Sequence, residues 1–299
     1  MSGAMADMWN NEQRGVAIAI FSSVNFIGPV AGPIVGSVMV GKYNWRSIEW
    51  LVCAYALTMT ILDGLFIRET YAAVILQRRA VKMRHDTGDE RFVAELERKS
   101  LTFSYVLQNY FSRPLKMLAM DPISQCFALF TAFSFGILYL TFVAYPVEYS
   151  DVRGWSKVES ALPNIGVIIG VLFGLSACIW YQPRYNEALK KNDGQPVPEM
   201  RLPLLVVGAA VFPVGLFIFA MTSGKDVHWI GGVIGITLVG FGIYMIFFPS
   251  LNYIVDTYLQ YTASAVAANT LLRSVFGAAF LFLKYGEKIR QKSKFAPTD

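Results

Sequence analysis

The stretch GPVAGPIVGS, residues 28–37, sets Gly28, Gly32 and Gly36 at every fourth position and Pro29 and Pro33 beside them, inside an otherwise apolar run. Proline costs roughly 3 kcal/mol in an ordinary helix interior and glycine about 1, so this composition needs a physical reason. The period of four places the glycines along one helix face, the small-residue spacing that lets two backbones approach closely in lipid. Each proline lacks an N–H, which frees the carbonyls of Asn25 and Pro29 and should bend the helix there. Freed backbone groups persist in a membrane only where neighbouring helices or a polar cavity satisfy them. A simple glycine dimerisation motif does not call for two prolines in register. The stretch therefore predicts a bent, closely packed membrane helix.

The rest of the chain agrees on the membrane. Hydrophobic types make up 55% of the 299 residues and charged types 16%, and the mean hydropathy is +0.44, unlike an ordinary soluble domain. Seven apolar runs stand out, at about 16–40, 48–67, 122–145, 161–181, 202–221, 229–254 and 263–283, several exceeding the roughly 18 residues of a spanning helix. The start, MSGAMADMWNNEQRG, lacks a basic n-region, so no cleaved signal peptide is expected. The net charge of +5 sits in loops, which favours membrane topology over nucleic-acid binding. Cys53, Cys126 and Cys178 lie in apolar runs, and His85 and His228 are far apart in sequence. No disulfide framework, metal site or cofactor is expected from them. No nucleophile–base pair or phosphate loop supports an enzyme.

Basic residues set the orientation. The one long polar segment, about 68–119, holds QRRAVKMRHDTGDERFVAELERKS (77–100), whose mixed charges at helical spacing predict a solvated or surface-lying helix. LTFSYVLQNYFSRPLKMLAM (101–120) predicts an amphipathic lead-in to the third run. This segment and the 182–201 loop, with Arg184, Lys190, Lys191 and Arg201, are far more basic than the loops between them. The positive-inside rule makes both cytoplasmic, and the N-terminus with them. Seven crossings would then leave the C-terminal tail outside, although Lys284, Lys288, Arg290, Lys292 and Lys294 mark it as cytoplasmic. Either the seventh run does not cross, or a span is missing near Phe280 and Leu281.

In this setting GPVAGPIVGS resembles the antiporter motif in the fifth span of the drug:proton antiporter branch of the major facilitator superfamily, twelve-span type, especially its fungal multidrug and polyamine transporters. Other stretches agree in order: ADMWNNEQRG (6–15) is similar to the family's loop between spans four and five, and YNWR (43–46) and ETYAAVILQRRAVKMR (69–84) to the entry of span six and the central loop. VRGWS (152–156) with LPNIGVIIG (162–170) resembles the approach to span eight. FPSLNYIVDTY (248–258) and SAVAANTLLRSVFGAAF (264–280) resemble spans ten and eleven, and YGEKIRQKSKFAP (285–297) the tail. Ser47, Glu49, Asp63 and Arg68 depart from the pattern.

The resemblance implies an all-α polytopic membrane protein, an incomplete major facilitator fold whose seven helices match spans five to eleven. Residues 1–67 would be a remnant of the N-terminal half, 68–121 the central cytoplasmic loop, 122–283 the C-terminal half without its last span, and 284–299 the tail. It implies alternating access and proton-driven export of drugs, toxins or polyamines, by a monomer of the plasma or vacuolar membrane. Its partners would be a small organic substrate, protons and the lipid bilayer. The alternative is a truncated fragment or gene-model artefact that does not transport.

Ionisable residues within spans are costly and mark function by default. Arg273, near Asn269, is expected at the central cavity for substrate or helix pairing, or else snorkels to the interface. Asp256, beside Asn252 and Tyr253, is a candidate for proton coupling or for a cytoplasmic gate or cap. Asn25, Tyr139 and Asn164 either line a polar cavity or join helices by hydrogen bonds. Glu148 is expected at an outer vestibule, and Asp63 beside Arg68. Asp7 and Arg14 are candidates for a cytoplasmic charge relay or an ordinary loop salt bridge.

Overall fold

The computed structural model describes residues 9, 11–66, 69–98 and 112–292. Asp7 and Arg68 lie outside the described residues, as does the side chain of Arg14. Ten α-helices are described: α1 Asn11–Lys42, α2 Arg46–Phe66, α3 Ala72–Thr87, α4 Glu95–Arg98, α5 Ser112–Met120, α6 Pro122–Pro146, α7 Ile165–Lys191, α8 Leu202–Thr222, α9 Trp229–Tyr258 and α10 Thr262–Lys292. Six segments, those of α1, α2, α6, α7, α8 and α9, are long and apolar enough to cross a membrane. The last predicted run falls in α10, which is helical without a break from Thr262 to Lys292.

Local chemistry sets the ends. The Asp121 carboxylate caps α6 by accepting from the Ile123 N–H at 3.1 Å, with Pro122 at the first helical position, where its missing N–H costs nothing. Gly88, with φ at +67°, ends α3 by donating its N–H to the Arg84 carbonyl at 2.9 Å. The Arg84 guanidinium then forks onto both carboxylate oxygens of Glu97, at 3.0 and 2.8 Å, and ties the central segment to itself.

The centre of the bundle is α9, whose Ile236, Val239, Ile243 and Tyr244 are wholly shielded. Glycines let its neighbours come close. A Cβ built on Gly170 of α7 would lie 2.1 Å from the Thr237 carbonyl oxygen, and one on Gly240 would lie 2.4 Å from that of Val167. The α8 crossing is made the same way: Cβ atoms on Gly215 and Gly235 would each stop 2.7 Å from a backbone nitrogen of the other helix. Close approach of this kind, together with interhelical hydrogen bonds, holds helices together where lipid removes the hydrophobic drive.

Among the described residues, the close neighbour expected along GPVAGPIVGS is not found: a Cβ at Gly28 or Gly32 would meet nothing within 4 Å, and one at Gly36 only the Ile48 Cδ1 at 3.8 Å. Helix α1 continues through both prolines, and it packs on α7 and α9 through Ile18, Ala19, Phe26 and Val30, away from the glycines. Helix α2 buries none of its residues. Replacing Gly28 and Gly32 together by alanine should therefore leave the thermal unfolding midpoint unchanged or raised, since alanine is favoured over glycine by about 1 kcal/mol per helical site. A clear drop in the midpoint would mean that a backbone outside the described contacts covers this face.

Candidate functional site

One cavity of about 430 Å³ opens between α1, α6, α9 and α10. Helix α1 contributes Phe21, Ser22, Asn25, Phe26 and Pro29; α6 contributes Thr131, Phe135, Leu138, Tyr139 and Phe142. Phe247, Ser250 and Leu251 come from α9, and Val266, Asn269, Thr270 and Arg273 from α10. Pro29 and Asn25 both line it: the proline lacks the N–H that the Asn25 carbonyl would otherwise accept from, beside a cavity that carries several polar side chains. Three lining hydroxyls are spent on their own helices, Thr131 on the Phe127 carbonyl at 2.7 Å, Ser250 on that of Ile246 at 2.6 Å and Thr270 on that of Val266 at 2.8 Å. The Asn269 amide donates to Thr131 Oγ1 at 2.9 Å and fixes α10 against α6.

Among the described residues, Arg273 is the one charged residue in the lining. Its guanidinium carbon lies 4.7 Å from the ring centre of Phe135 and 5.5 Å from that of Phe247, within reach of both π-faces. Its Nε is buried without a hydrogen-bond partner. Among the described residues no carboxylate lies within ion-pair distance of it.

Of the eight polar residues expected around a cavity, the structure brings four together: Asn25, Tyr139, Asn269 and Arg273. The other four lie elsewhere. Asn164 is buried at the start of α7 and donates to the Ala161 carbonyl at 3.0 Å. Asn252 bonds back to the Phe248 carbonyl at 2.9 Å, and the Tyr253 ring stacks on Phe127 with centroids 4.6 Å apart. Asp256 sits in a buried ion pair at the end of α9. Arg201 Nε donates to its Oδ2 at 3.3 Å, the Tyr185 hydroxyl donates to the same oxygen at 2.9 Å, and the guanidinium lies 3.5 Å over the Tyr185 ring. Arg201 Nη1 also reaches Gln182 Oε1 at 3.3 Å. Gly15 of α1 fits against that amide so closely that a Cβ would lie 2.5 Å from it. Four elements are thereby joined at one end of the bundle. The Tyr258 hydroxyl donates to the Asp121 carboxylate at the same end.

A second polar knot closes the opposite end. Glu148, expected at an outer vestibule, is buried and accepts from Arg153 Nε at 3.0 Å and from the Gly224 N–H at 2.9 Å. Arg153 donates further to the Val227 and Thr222 carbonyls, at 2.7 and 2.9 Å. The turn after α6 is thus stapled to the α8–α9 loop. Asp63 is exposed on α2, and its expected partner Arg68 lies outside the described residues.

Sequence reasoning took Arg201 only as a loop cation that marks the orientation and passed over Arg153; the role of each shows once a buried carboxylate is placed beside it. It also passed over Gly166, Gly170 and Gly174, whose period of four is the same signal that drew attention to Gly28.

With this geometry in place, comparison with known proteins gives concordant matches. The family model described as Major Facilitator Superfamily matches residues 1–281. A citrinin biosynthesis cluster MFS transporter of Monascus ruber is 36% identical over 99% of this chain and 66% of its own length. The MFS-type transporter oryN of Aspergillus oryzae is 42% identical over 94% of this chain and 55% of its own. The Candida albicans multidrug transporter FLU1 is 36% identical over 98% and 54% respectively. The chain spans between about half and two thirds of the length of these curated relatives.

Proposed function

The chain belongs to the major facilitator superfamily, a family of membrane transporters, and on that premise we propose that it exports small organic compounds by proton-coupled antiport, with the cavity between α1, α6, α9 and α10 as substrate site. The cavity carries this reading. It has the size of a small-molecule pocket, apolar and aromatic walls, and a few polar groups that converge on it. Its walls come from both the N-terminal and the C-terminal helices, so a tilt of α1 against the others would change its access. The names of two relatives, multidrug transporters of Candida albicans and Aspergillus fumigatus, agree with organic substrates.

The two polar knots would act as latches at opposite ends. A proton on Asp256 would remove the charge that holds Arg201 and loosen that end, which couples the proton to access. The plasma membrane is the proposed site of action, with the cytoplasm on the Asp256 side. A second reading, that the 299-residue chain does not transport by itself, is favoured by the open glycine face of α1 and by α2, which buries nothing.

Reconstitution of the chain in lipid vesicles tests both. Under an imposed proton gradient, at least one member of a panel of fluorescent organic dyes covering both charge signs should redistribute, and a protonophore should abolish the effect. Dye movement equal with and without the gradient would overturn coupling. No movement at all would support the second reading.

A further inference from the structure

We propose that the ligands of this cavity are organic anions, with an aromatic or aliphatic body against the phenylalanines and one carboxylate, or an equivalent acidic oxygen, on Arg273. The inference rests on the cavity being the substrate site. Its first ground is charge: among the described residues, every lining residue except Arg273 is neutral. An ammonium ligand would face that guanidinium in poorly screened space, a repulsion worth roughly a hundredfold in binding constant at about 6 Å and more at closer range, at an effective dielectric near 20. Polyamines, which need several carboxylates, meet none here.

The second ground is the state of the arginine. A cation among apolar helices is costly and ordinarily finds a carboxylate. Both buried arginines elsewhere in the bundle do so, Arg201 with Asp256 and Arg153 with Glu148. Among the described residues, Arg273 has only the faces of Phe135 and Phe247, and its Nε makes no hydrogen bond. A guanidinium offers five N–H donors in a fork that matches two carboxylate oxygens. A ligand anion supplies here what the protein supplies at the other two arginines.

The third ground is the remainder of the wall. Neither the Tyr139 hydroxyl nor the Asn25 amide has a hydrogen-bond partner among the described residues, which leaves both as donors to an anion's oxygens. Phe21, Phe26 and Phe142 complete an apolar surface for the ligand body.

Three size-matched probes separate the possibilities: 2-naphthoate, 2-naphthylmethanol and 2-naphthylmethylammonium, measured by equilibrium dialysis against the full chain in lipid nanodiscs at neutral pH. Naphthoate should bind at least tenfold more tightly than the alcohol, and the ammonium most weakly. Arg273→Gln should weaken naphthoate at least tenfold while alcohol binding stays within twofold, which also reports that the variant is folded; Arg273→Lys should fall between. Ammonium binding equal to or tighter than naphthoate, or naphthoate unaffected by Arg273→Gln, overturns the proposal. Val266→Trp, which fills the cavity, tests the underlying reading. If it leaves alcohol retention unchanged, the cavity is not the binding site and both inferences fall. If it abolishes retention, the site stands and the charge preference is judged from the three probes alone. Retention of none of the probes by the unmodified protein counts against both.

Discussion

Asp256→Ala lowers stability by about 3–5 kcal/mol, the cost of removing one partner from a buried ion pair and leaving the other charge uncompensated. Arg201 and Asp256 side chains are each 4% exposed, so water does little to screen the loss. The Tyr185 hydroxyl loses its acceptor in the same step, and Arg201 keeps only the Gln182 amide and the Tyr185 ring. The expected readout is a large fall in the unfolding midpoint of the detergent-solubilised protein. Asp256→Ala combined with Arg201→Met should recover most of it, because an apolar pair removes both the charge and its desolvation. A single Asp256→Ala variant as stable as the parent protein would mean that water already reaches this end and the pair is not buried in solution. The double variant should still lose gradient-dependent transport, since the proposed latch acts by its charge.

How much of this could be read from the sequence depends on the range of each signal. Spanning helices were legible because apolar length is a local property: the runs at 122–145, 202–221 and 229–254 fall within α6, α8 and α9. The helix expected in 77–100 is found in part, as the end of α3 up to Thr87 and the short α4, with residues 88–94 between them not helical. The cavity was legible only in part. Asn25, Tyr139, Asn269 and Arg273 stand out as polar residues in apolar runs, and so do Asn164 and Asn252, which bond to carbonyls of their own neighbourhood. Facing decides between these outcomes, and facing depends on how helices separated by a hundred residues cross. Partner choice is equally non-local. Asp256 and Arg201 are 55 positions apart, and nothing near either one names the other. The aromatic wall of Phe135 and Phe247 was hidden because phenylalanine occurs in every apolar run.

The same limit of range governs the glycines and leads to the second large effect. Gly28, Gly32 and Gly36 have the same period as Gly166, Gly170 and Gly174, and sequence alone does not rank them. In the structure a Cβ at Gly170 would overlap the Thr237 carbonyl oxygen at 2.1 Å and lie 2.6 Å from the Phe241 nitrogen, both backbone atoms of the central helix. No rotamer change relieves such an overlap; α7 and α9 must separate. Gly170→Ala should therefore cost about 3 kcal/mol, the upper part of the usual overpacking range, and Gly240→Ala a similar amount by its 2.4 Å approach to the Val167 carbonyl. Both glycines serve one crossing, so the double variant should cost less than the sum of the two. Because Phe247 and Ser250 lie about two to three helical turns beyond Gly240 on α9, separation at the crossing displaces that wall of the cavity, and probe binding should weaken along with stability. Additive losses in the double variant, or Gly170→Ala as benign as the Gly28 and Gly32 replacements, would show that the α7–α9 contact is looser than its glycines require.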